Sequence, residues 1–365
     1  MNATLPLFAT QQTKQFHFEG NLPHQQRAVD SILAVLETVT FTKPNQQMAL
    51  LSNPLAPKDK QLALSAYAKS IEAVQKHNEI LGHIAKPESN VLDISMETGT
   101  GKTYTYTKMM FELNARLKLF KFIVVVPTLP IKAGTVNFLK SQASQEHFAT
   151  NYQNKSIRCH VVESQSGKKS NKDFMPQSIL DFVQAPNDGQ TIHVLVINAG
   201  MINSDTLSKK YDRAVFDQFS TPVDAIASIA PMVIIDEPHR FPTAQKTWGN
   251  IQKLGGQFIV RYGATFNEDY SNLIYQLTAV DAFNQDLVKG VVAYIEEFEG
   301  AKDTSIKLVE IDTSNKKKEE AIFQVKRGKV TEKVHLLKNE SLSKVDQNFG
   351  SLTIDNLNKT TVVLS

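Results

Sequence analysis

Residues 96 to 103, Met-Glu-Thr-Gly-Thr-Gly-Lys-Thr, have the residue types and the spacing of a loop that binds phosphate groups. Gly99 and Gly101 permit a tight turn that brings backbone N–H groups close to an anion. Lys102 can reach the terminal phosphates of a nucleotide, and the Thr103 hydroxyl can ligate Mg²⁺. The consensus loop begins with glycine at the first of these positions, where this chain has methionine. The residues predicted to bind nucleotide here are Thr98, Gly99, Thr100, Gly101, Lys102 and Thr103.

A second segment whose residue types could take part in catalysis follows the apolar run 232–235. It begins with Asp236 and Glu237, two carboxylates at the end of a predicted buried strand. One of them can hold Mg²⁺ while the other orients or deprotonates an attacking water. Two acids at a strand end can equally be a solvated terminus, but their position behind a phosphate loop favours a nucleoside triphosphatase. The predicted catalytic residues are Lys102, Asp236 and Glu237, and the predicted Mg²⁺ ligands are Thr103 and Asp236.

The composition limits the class of protein. The chain has 365 residues, enough for one large domain or two small ones, and its net charge of +3 is too small to indicate nucleic-acid binding by the whole molecule. The single cysteine, Cys159, excludes an internal disulfide and fits a reducing cytoplasm. No apolar run approaches the ~20 residues that span a bilayer, and residues 1–20 lack the pattern of a secretory signal. We therefore expect a soluble, cytoplasmic protein without membrane contact.

The elements that would position both segments follow an α/β pattern. Helical spacing of apolar residues predicts helices at 25–36 and at about 60–81. Continuous apolar runs are typical of strands that are covered on both faces, and the segments between them are long enough for crossover helices, which predicts a parallel sheet. These runs are Val91–Ile94, Phe122–Val126, His193–Ile197, Met232–Ile235 and Phe258–Tyr262. The polar stretches 141–156 and 167–172 are predicted surface insertions.

The pattern changes after about residue 300. Residues 305–311 alternate, and the runs 321–326 and 329–336 flank Arg327-Gly328, which predicts antiparallel strands with a hairpin. We expect residues 301–365 to be a second, β-rich and incomplete unit. Residues 316–338 carry eight basic and three acidic side chains. This excess fits either solvated faces of a hairpin or a strip that binds the DNA backbone.

Further segments suggest what the nucleotide site serves. Gln25, or Gln26 beside it, lies upstream of the first strand, and an amide side chain can read the donor and acceptor edge of adenine. Residues 124–130 end the second strand, and Arg261-Tyr262-Gly263-Ala264-Thr265 ends another. Ligands bind at the carboxyl edge of open parallel sheets, so these ends are expected to lie close together.

This ordered set of motifs resembles superfamily 2 helicases and translocases, and it covers one whole RecA-like domain. The motif sequences at residues 96–103, 236–241 and 261–266 are most similar to those of the Res subunit of type III restriction-modification enzymes. Residues 272–277 and 279–284 are similar to the segment that follows in that family. The resemblance implies a RecA-like ATP-binding domain over residues 1–300, with N-terminal helical elements and insertions at about 41–90 and 141–190.

The resemblance also implies roles for single residues. Gln25 would read adenine, Asp236 would anchor Mg²⁺, and Glu237 would act on the water, with ATP and Mg²⁺ as cofactors. The residues that would couple nucleotide to the rest of the domain are His239, Ala264 and Thr265, for which capping or packing is the alternative. The residues that would contact a nucleic-acid backbone are Thr128, Lys132 and Asn198.

Two expected features of such an enzyme are missing from this sequence. Arg327 is the only arginine after Arg261, so the spaced arginine pair of a second RecA-like domain is not present. No Glu-x-Lys of a nuclease site occurs either. We therefore expect an N-terminal piece of a larger protein that binds ATP weakly and barely hydrolyses it alone, because losing one transition-state arginine costs ~10³ in rate.

Three interpretations remain open. The first is the motor domain of a type III Res subunit, part of an ATP-dependent DNA translocase and endonuclease, with double-stranded DNA and the Mod methyltransferase subunit as partners. The second is a relic that binds nucleotide without turnover. The third is a motor domain from another superfamily 2 branch that acts on RNA or chromatin.

Overall fold

The structure is a computed structural model that divides into two compact units, Met1–Gly290 and Val291–Ser365. It describes residues 18–20, 22–57, 60–163, 174–266, 270–287, 304–312, 319–327, 330–345, 347–350, 352–357 and 362–364. The predicted insertion at 167–172 lies outside these residues. The domain bounds predicted from the sequence stay predictions.

The first unit is built on a seven-stranded sheet in the order β3-β4-β2-β5-β6-β1-β7. Every neighbouring pair in it is parallel. Its strands are β1 (Val91–Met96), β2 (Lys121–Val126), β3 (Ser156–Val161), β4 (Thr191–Asn198), β5 (Met232–Asp236), β6 (Ile259–Gly263) and β7 (Leu273–Leu277). The predicted α/β class and parallel sheet are confirmed, and the phosphate loop joins β1 to the next helix as a RecA-like P-loop fold requires.

Helices connect the strands and cover the sheet. They are α1 (Pro23–Leu36), α2 (Lys60–His77), α3 (Lys102–Leu117), α4 (Leu129–Lys140), α5 (Gln142–Asn151), α6 (Gln177–Gln184), α7 (Ala199–Ile202), α8 (Asp205–Ser208), α9 (Pro222–Ser228), α10 (Lys246–Gln252) and α11 (Ala279–Asn284). Helix α2 ends four residues before the predicted Leu81 because Glu79 and Gly82 both have positive φ. Among the described residues, no helix is long and apolar enough to cross a membrane.

Two apolar clusters lie on opposite faces of the sheet because successive strand residues point to opposite sides. One includes Leu92, Val124 and Tyr262, and the other includes Ile123 and Val125 of the same region. Strands β1, β2, β5 and β6 are therefore fully buried, as is β4 except for Thr191, and all five show the continuous apolar runs from which they were predicted. The edge strand β3 was missed because it is half exposed and its apolar residues alternate.

The predicted insertion at 141–156 contains more structure than a polar surface stretch. It forms α5, whose Phe148 is buried and stacks on Phe111 of α3 with ring centroids 4.7 Å apart. Polar composition hid this helix because only two of its side chains are buried.

The second unit contains the predicted antiparallel strands. They are β8 (Thr304–Asp312), β9 (Glu320–Arg327) and β10 (Val330–Leu337) in one sheet, and β11 (Ile354–Leu357) with β12 (Val362–Leu364) in another. Arg327 pairs with Val330, which confirms the predicted hairpin. A separate apolar cluster that includes Phe323, Val325 and Leu336 forms the core of this unit.

Candidate functional site

The phosphate loop, residues 97–101, leaves the carboxyl end of β1 and enters α3 at Lys102. Gly99 and Gly101 have φ of 85° and 90°, a left-handed conformation that side chains disfavour. Thr100 stabilises the turn, since its hydroxyl donates to the Glu97 carbonyl oxygen over 2.7 Å. The glycine positions predicted from the sequence are thus the ones that shape the loop.

Helix α1 holds the loop from the side. The Thr100 carbonyl oxygen accepts hydrogen bonds from His24 Nε2 at 2.9 Å and from Gln25 Nε2 at 3.1 Å. Burial lowers the pKa of His24, so its ring is neutral with the proton on Nε2. A Cβ atom at Gly101 would lie 2.4 Å from Gln25 Nε2. Gln26 instead bonds Asp30 on the exposed side of the helix, which leaves Gln25 as the glutamine at the site.

Asp236 ends β5 and is buried, and its Oδ1 has no hydrogen-bond partner among the described residues. Burial and the neighbouring Glu237 carboxylate raise the pKa of Asp236 to about 6, against the attraction of Lys102. Glu237 has φ 56° and ψ 63°, a left-handed conformation that is rare for a residue with a side chain. Such backbone strain concentrates at functional sites.

The Glu237 carboxylate lies between two basic side chains. Its Oε1 is 3.2 Å from Lys102 Nζ, and its Oε2 is 3.4 Å from His239 Nδ1. The Lys102 side chain is only 9% exposed and makes no well-aligned hydrogen bond with a described residue. We regard this contact as an ion pair with poor hydrogen-bond geometry, which a phosphate group could replace.

The end of β6 packs against the turn after Glu237. A Cβ atom at Gly263 would lie 2.6 Å from Pro238 Cδ, so only glycine permits this approach. Ala264 is half-buried and Thr265 is exposed. The predicted coupling residues Ala264 and Thr265 therefore follow β6 directly, next to the close contact of Gly263 with Pro238.

A cavity of 520 Å³ unites these groups. Of the residues predicted to bind nucleotide or metal, seven line it with Glu237: Gln25, Thr98, Gly99, Gly101, Lys102, Thr103 and Asp236. Thr100 contributes its carbonyl oxygen to the loop instead. The sequence analysis missed six lining residues, which are Phe18, Glu19, Leu22, Tyr104, Ile131 and Phe138. Tyr104 carried a usable signal, because it follows Thr103 directly.

The three predicted nucleic-acid contacts differ in exposure. Thr128 is exposed and caps α4 by accepting from Ile131 N at 3.5 Å. Lys132 is buried, its ammonium donates to the Val162 carbonyl oxygen, and burial lowers its pKa. Asn198 is buried at the end of β4. A nucleic-acid role for Lys132 would require that it leave Val162.

Residues 21–268 match the family model described as "Type III restriction enzyme, res subunit". The chain belongs to the type III restriction enzyme Res subunit family. The match covers the whole sheet except β7 and includes every predicted site residue. The match confirms the Res family that was predicted from the motif sequences. The helicase-like ATPase domain of this family implies that it uses a nucleotide.

Curated Res subunits are similar over most of this chain. The EcoP15I Res subunit of Escherichia coli is 50% identical over 97% of the chain, and the EcoPI Res subunit of Escherichia phage P1 is 49% identical over 97%. The StyLTI Res subunit of Salmonella typhimurium is 34% identical over 84%. The chain spans 36% of the length of the first two relatives and 32% of the third.

Solved structures share less with this chain. The Sulfolobus solfataricus SWI2/SNF2 ATPase core in complex with dsDNA aligns over 56% of this chain and 32% of its own at TM-score 0.28 and 13% identity. A nuclease-deletion mutant of the Type ISP enzyme LlaGI with a DNA substrate mimic aligns over 60% and 20% at TM-score 0.37 and 18% identity. The UvsW helicase from Bacteriophage T4 aligns over 61% and 66% at 0.29 and 12%.

Proposed function

We propose that this chain is the N-terminal ATP-binding motor domain of a type III Res subunit, and thereby part of an ATP-dependent DNA translocase and endonuclease. One observation carries the proposal: a single cavity contains the phosphate loop, the Lys102 ammonium and Asp236 Oδ1, an atom without a hydrogen-bond partner among the described residues. A buried cation and a buried carboxylate oxygen without well-aligned partners are costly unless a ligand satisfies them. A nucleotide phosphate and its metal ion would satisfy both.

ATP with Mg²⁺ fits the residues at this site. The loop N–H groups and Lys102 would bind phosphate oxygens, and Gln25 Oε1, which has no partner among the described residues, would accept from the adenine amino group. Thr103 and Asp236 would hold Mg²⁺, which supplies charge neutralisation at the transferring phosphoryl group. Few protein ligands are needed, because Mg²⁺ keeps waters and phosphate oxygens in its shell.

Glu237 is the proposed residue that orients or deprotonates the attacking water. Without nucleotide its carboxylate pairs with Lys102 at 3.2 Å. A phosphate group attracts Lys102 more strongly than one carboxylate does, so ATP would release Glu237 towards the water. ATP binding would then also free Glu237 to act on the water.

His239, Ala264 and Thr265 are the proposed coupling residues. His239 contacts the Glu237 carboxylate, and the chain before Ala264 packs against Pro238. A shift of Glu237 on nucleotide binding would therefore reach β6 through short contacts. This proposal requires two arrangements of the turn, which differ in their affinity for nucleotide.

Double-stranded DNA and a Mod methyltransferase subunit are the proposed partners, and the cytoplasm is the proposed location. Thr128, Lys132 and Asn198 follow or end strands at the carboxyl edge of the sheet, the edge that carries the phosphate loop. Of these three, Thr128 is the side chain in a position to bind a backbone phosphate without rearrangement.

A relic that binds nucleotide without turnover is the second candidate. Arg327, the only arginine after Arg261, pairs with Glu332 and donates to the Val345 carbonyl oxygen. Its guanidinium is thus engaged within the second unit. Turnover requires charge stabilisation from elsewhere, such as the rest of a longer Res subunit.

Lys102→Ala tests the nucleotide site. Isothermal titration with ATP and Mg²⁺ should show affinity about tenfold to a hundredfold weaker than in the parent, because charge-assisted bonds to phosphate are lost. Lys76→Ala, an exposed lysine in the last turn of α2, is the matched control and should bind as the parent does. Equal affinity of the Lys102 variant and the parent would rule out the site.

Glu237→Gln separates binding from turnover. The amide keeps the size of the side chain but cannot take a proton, so ATP should still bind while residual phosphate release disappears. A variant that releases phosphate as fast as the parent would exclude Glu237 as the group that acts on the water. A parent protein that binds ATP but releases no phosphate would favour the relic that binds nucleotide without turnover.

A further inference from the structure

An aromatic cluster from four separate segments adjoins the phosphate loop. Phe18 precedes α1, Tyr104 lies in the first turn of α3, Phe138 lies on α4, and His147 lies on α5. The Phe18 ring centroid is 5.9 Å from Tyr104, 5.5 Å from Phe138 and 5.4 Å from His147. These spacings are those of packed aromatic side chains.

This cluster forms the apolar end of the cavity that contains the phosphate loop. Phe18, Tyr104 and Phe138 line it together with the aliphatic side chains of Leu22 and Ile131. With the phosphates of a nucleotide bound at the loop as proposed above, its base and sugar would extend into the remaining space of the same cavity. Aromatic and aliphatic walls suit the faces of a purine ring.

His147 is joined to this wall without lining the cavity. Its Nε2 and the Tyr104 hydroxyl share a hydrogen bond of 2.8 Å, and the two rings are 5.5 Å apart. Either group can donate in this bond, depending on which nitrogen of the His147 ring carries the proton. This bond fixes the Tyr104 ring from behind.

We propose that Phe18, Tyr104 and Phe138 bind the base of the nucleotide and that His147 is the positioning residue that holds Tyr104 in this wall. The inference rests on the proposed nucleotide-binding function and deepens it. Gln25 would contact the edge of the base while the wall contacts its face. The segment 141–156 thus contributes to nucleotide affinity from outside all the motifs that identify the site.

The test compares ligands with and without a base. The ligands are ATP and inorganic tripolyphosphate, titrated with Mg²⁺ into the parent, His147→Phe, Tyr104→Phe and the double variant. Each single change removes the hydrogen bond but keeps a ring, so ATP affinity should fall about fivefold, as expected for one neutral hydrogen bond. Tripolyphosphate affinity should stay unchanged, because it does not reach the wall.

The double variant distinguishes positioning from general damage. Since both changes remove the same bond, its ATP affinity should match that of either single variant. His147→Gln keeps a group that can accept from the Tyr104 hydroxyl or donate to it, and it should retain most of the parent's ATP affinity. His83→Phe, an exposed histidine whose ring contacts Tyr270, is the matched control and should leave both affinities unchanged.

Three results would overturn the inference. They are single losses that add in the double variant, tripolyphosphate affinity that falls in parallel with ATP affinity, and no loss of ATP affinity at all. Failure of the proposed function has a different signature. In that case the parent binds neither ligand, or Lys102→Ala binds both as tightly as the parent.

Discussion

At the residue scale, the site depends on a few backbone conformations that most side chains do not tolerate. Gly101 combines a φ of 90° with a Cβ direction that points at Gln25. Glu237 adopts a left-handed conformation although it carries a side chain. Gly263 has no side chain, which allows the Pro238 ring to pack closely against it. These positions place the phosphate loop, the acid and β6 against one another.

Gly101→Ala should destabilise the fold and weaken ATP binding. A left-handed L residue costs about 1–2 kcal/mol, and the new methyl group must also displace Gln25. Gly134→Ala is the matched control, since Gly134 lies inside α4 and, apart from the backbone of its own helix and its chain neighbours, no described atom lies within 4 Å of its Cβ position. That change should raise the free energy of unfolding by up to about 1 kcal/mol. Urea unfolding measures the stability and ATP titration measures the affinity. A Gly101 variant that is as stable as the parent and binds ATP as tightly would contradict the expectation.

At the scale of elements, a buried ion pair joins two strands of the site. Asp93 of β1 and Arg261 of β6 are register partners, with Arg261 Nε 2.6 Å from Oδ1 and Nη2 2.9 Å from Oδ2. Oδ2 also accepts from Ser271 N at 2.6 Å. The pair thus connects the strand before the phosphate loop to β6 and to the chain entering β7.

Asp93→Asn should lower the free energy of unfolding by about 3–5 kcal/mol, because it leaves the Arg261 charge buried without its partner. Glu37→Gln is the matched control, since the pair between Glu37 and Arg116 is exposed and worth no more than about 1 kcal/mol. Urea unfolding of both variants measures the difference. Similar small losses in the two variants would show that burial of the Asp93 pair does not decide its energy.

The elements differ in how far the sequence predicted them. The five strands buried on both faces have continuous apolar runs, and all five were predicted. Strand β3 at the sheet edge and the mostly exposed α5 were not, because their burial is partial and comes from neighbours distant in sequence. The cavity wall was missed for the same reason, since Phe18, Tyr104 and Phe138 meet only after folding.

At the scale of the whole molecule, two buried histidines make stability depend on pH. His160 of β3 and His193 of β4 share a hydrogen bond of 3.2 Å between Nε2 and Nδ1. Burial and the charge of Lys121 lower the pKa of His160 to about 4 and that of His193 to about 3. Between pH 6.5 and about 4 these two histidines therefore bind more protons in the unfolded chain than in the folded one.

Stability should fall as pH is lowered from 6.5 towards 4, and the double variant His160→Leu/His193→Leu should lose less. Asp236, whose pKa is raised to about 6, acts in the opposite direction and is the same in both proteins. Melting temperatures at pH 7 and pH 5 measure the effect. An equal decrease in the parent and the variant would exclude the histidine pair as its source.

The sequence by itself determined the family, the five buried strands and the residues of the phosphate loop and the acidic segment. These follow from local spacing and residue type, which are readable along the chain. The tertiary structure decided that Lys102 pairs with Glu237, that Asp236 is buried with a raised pKa, and that Tyr104 and His147 share a hydrogen bond. Such contacts join residues far apart in sequence, so they depend on how strands and helices pack and are not encoded in any one segment.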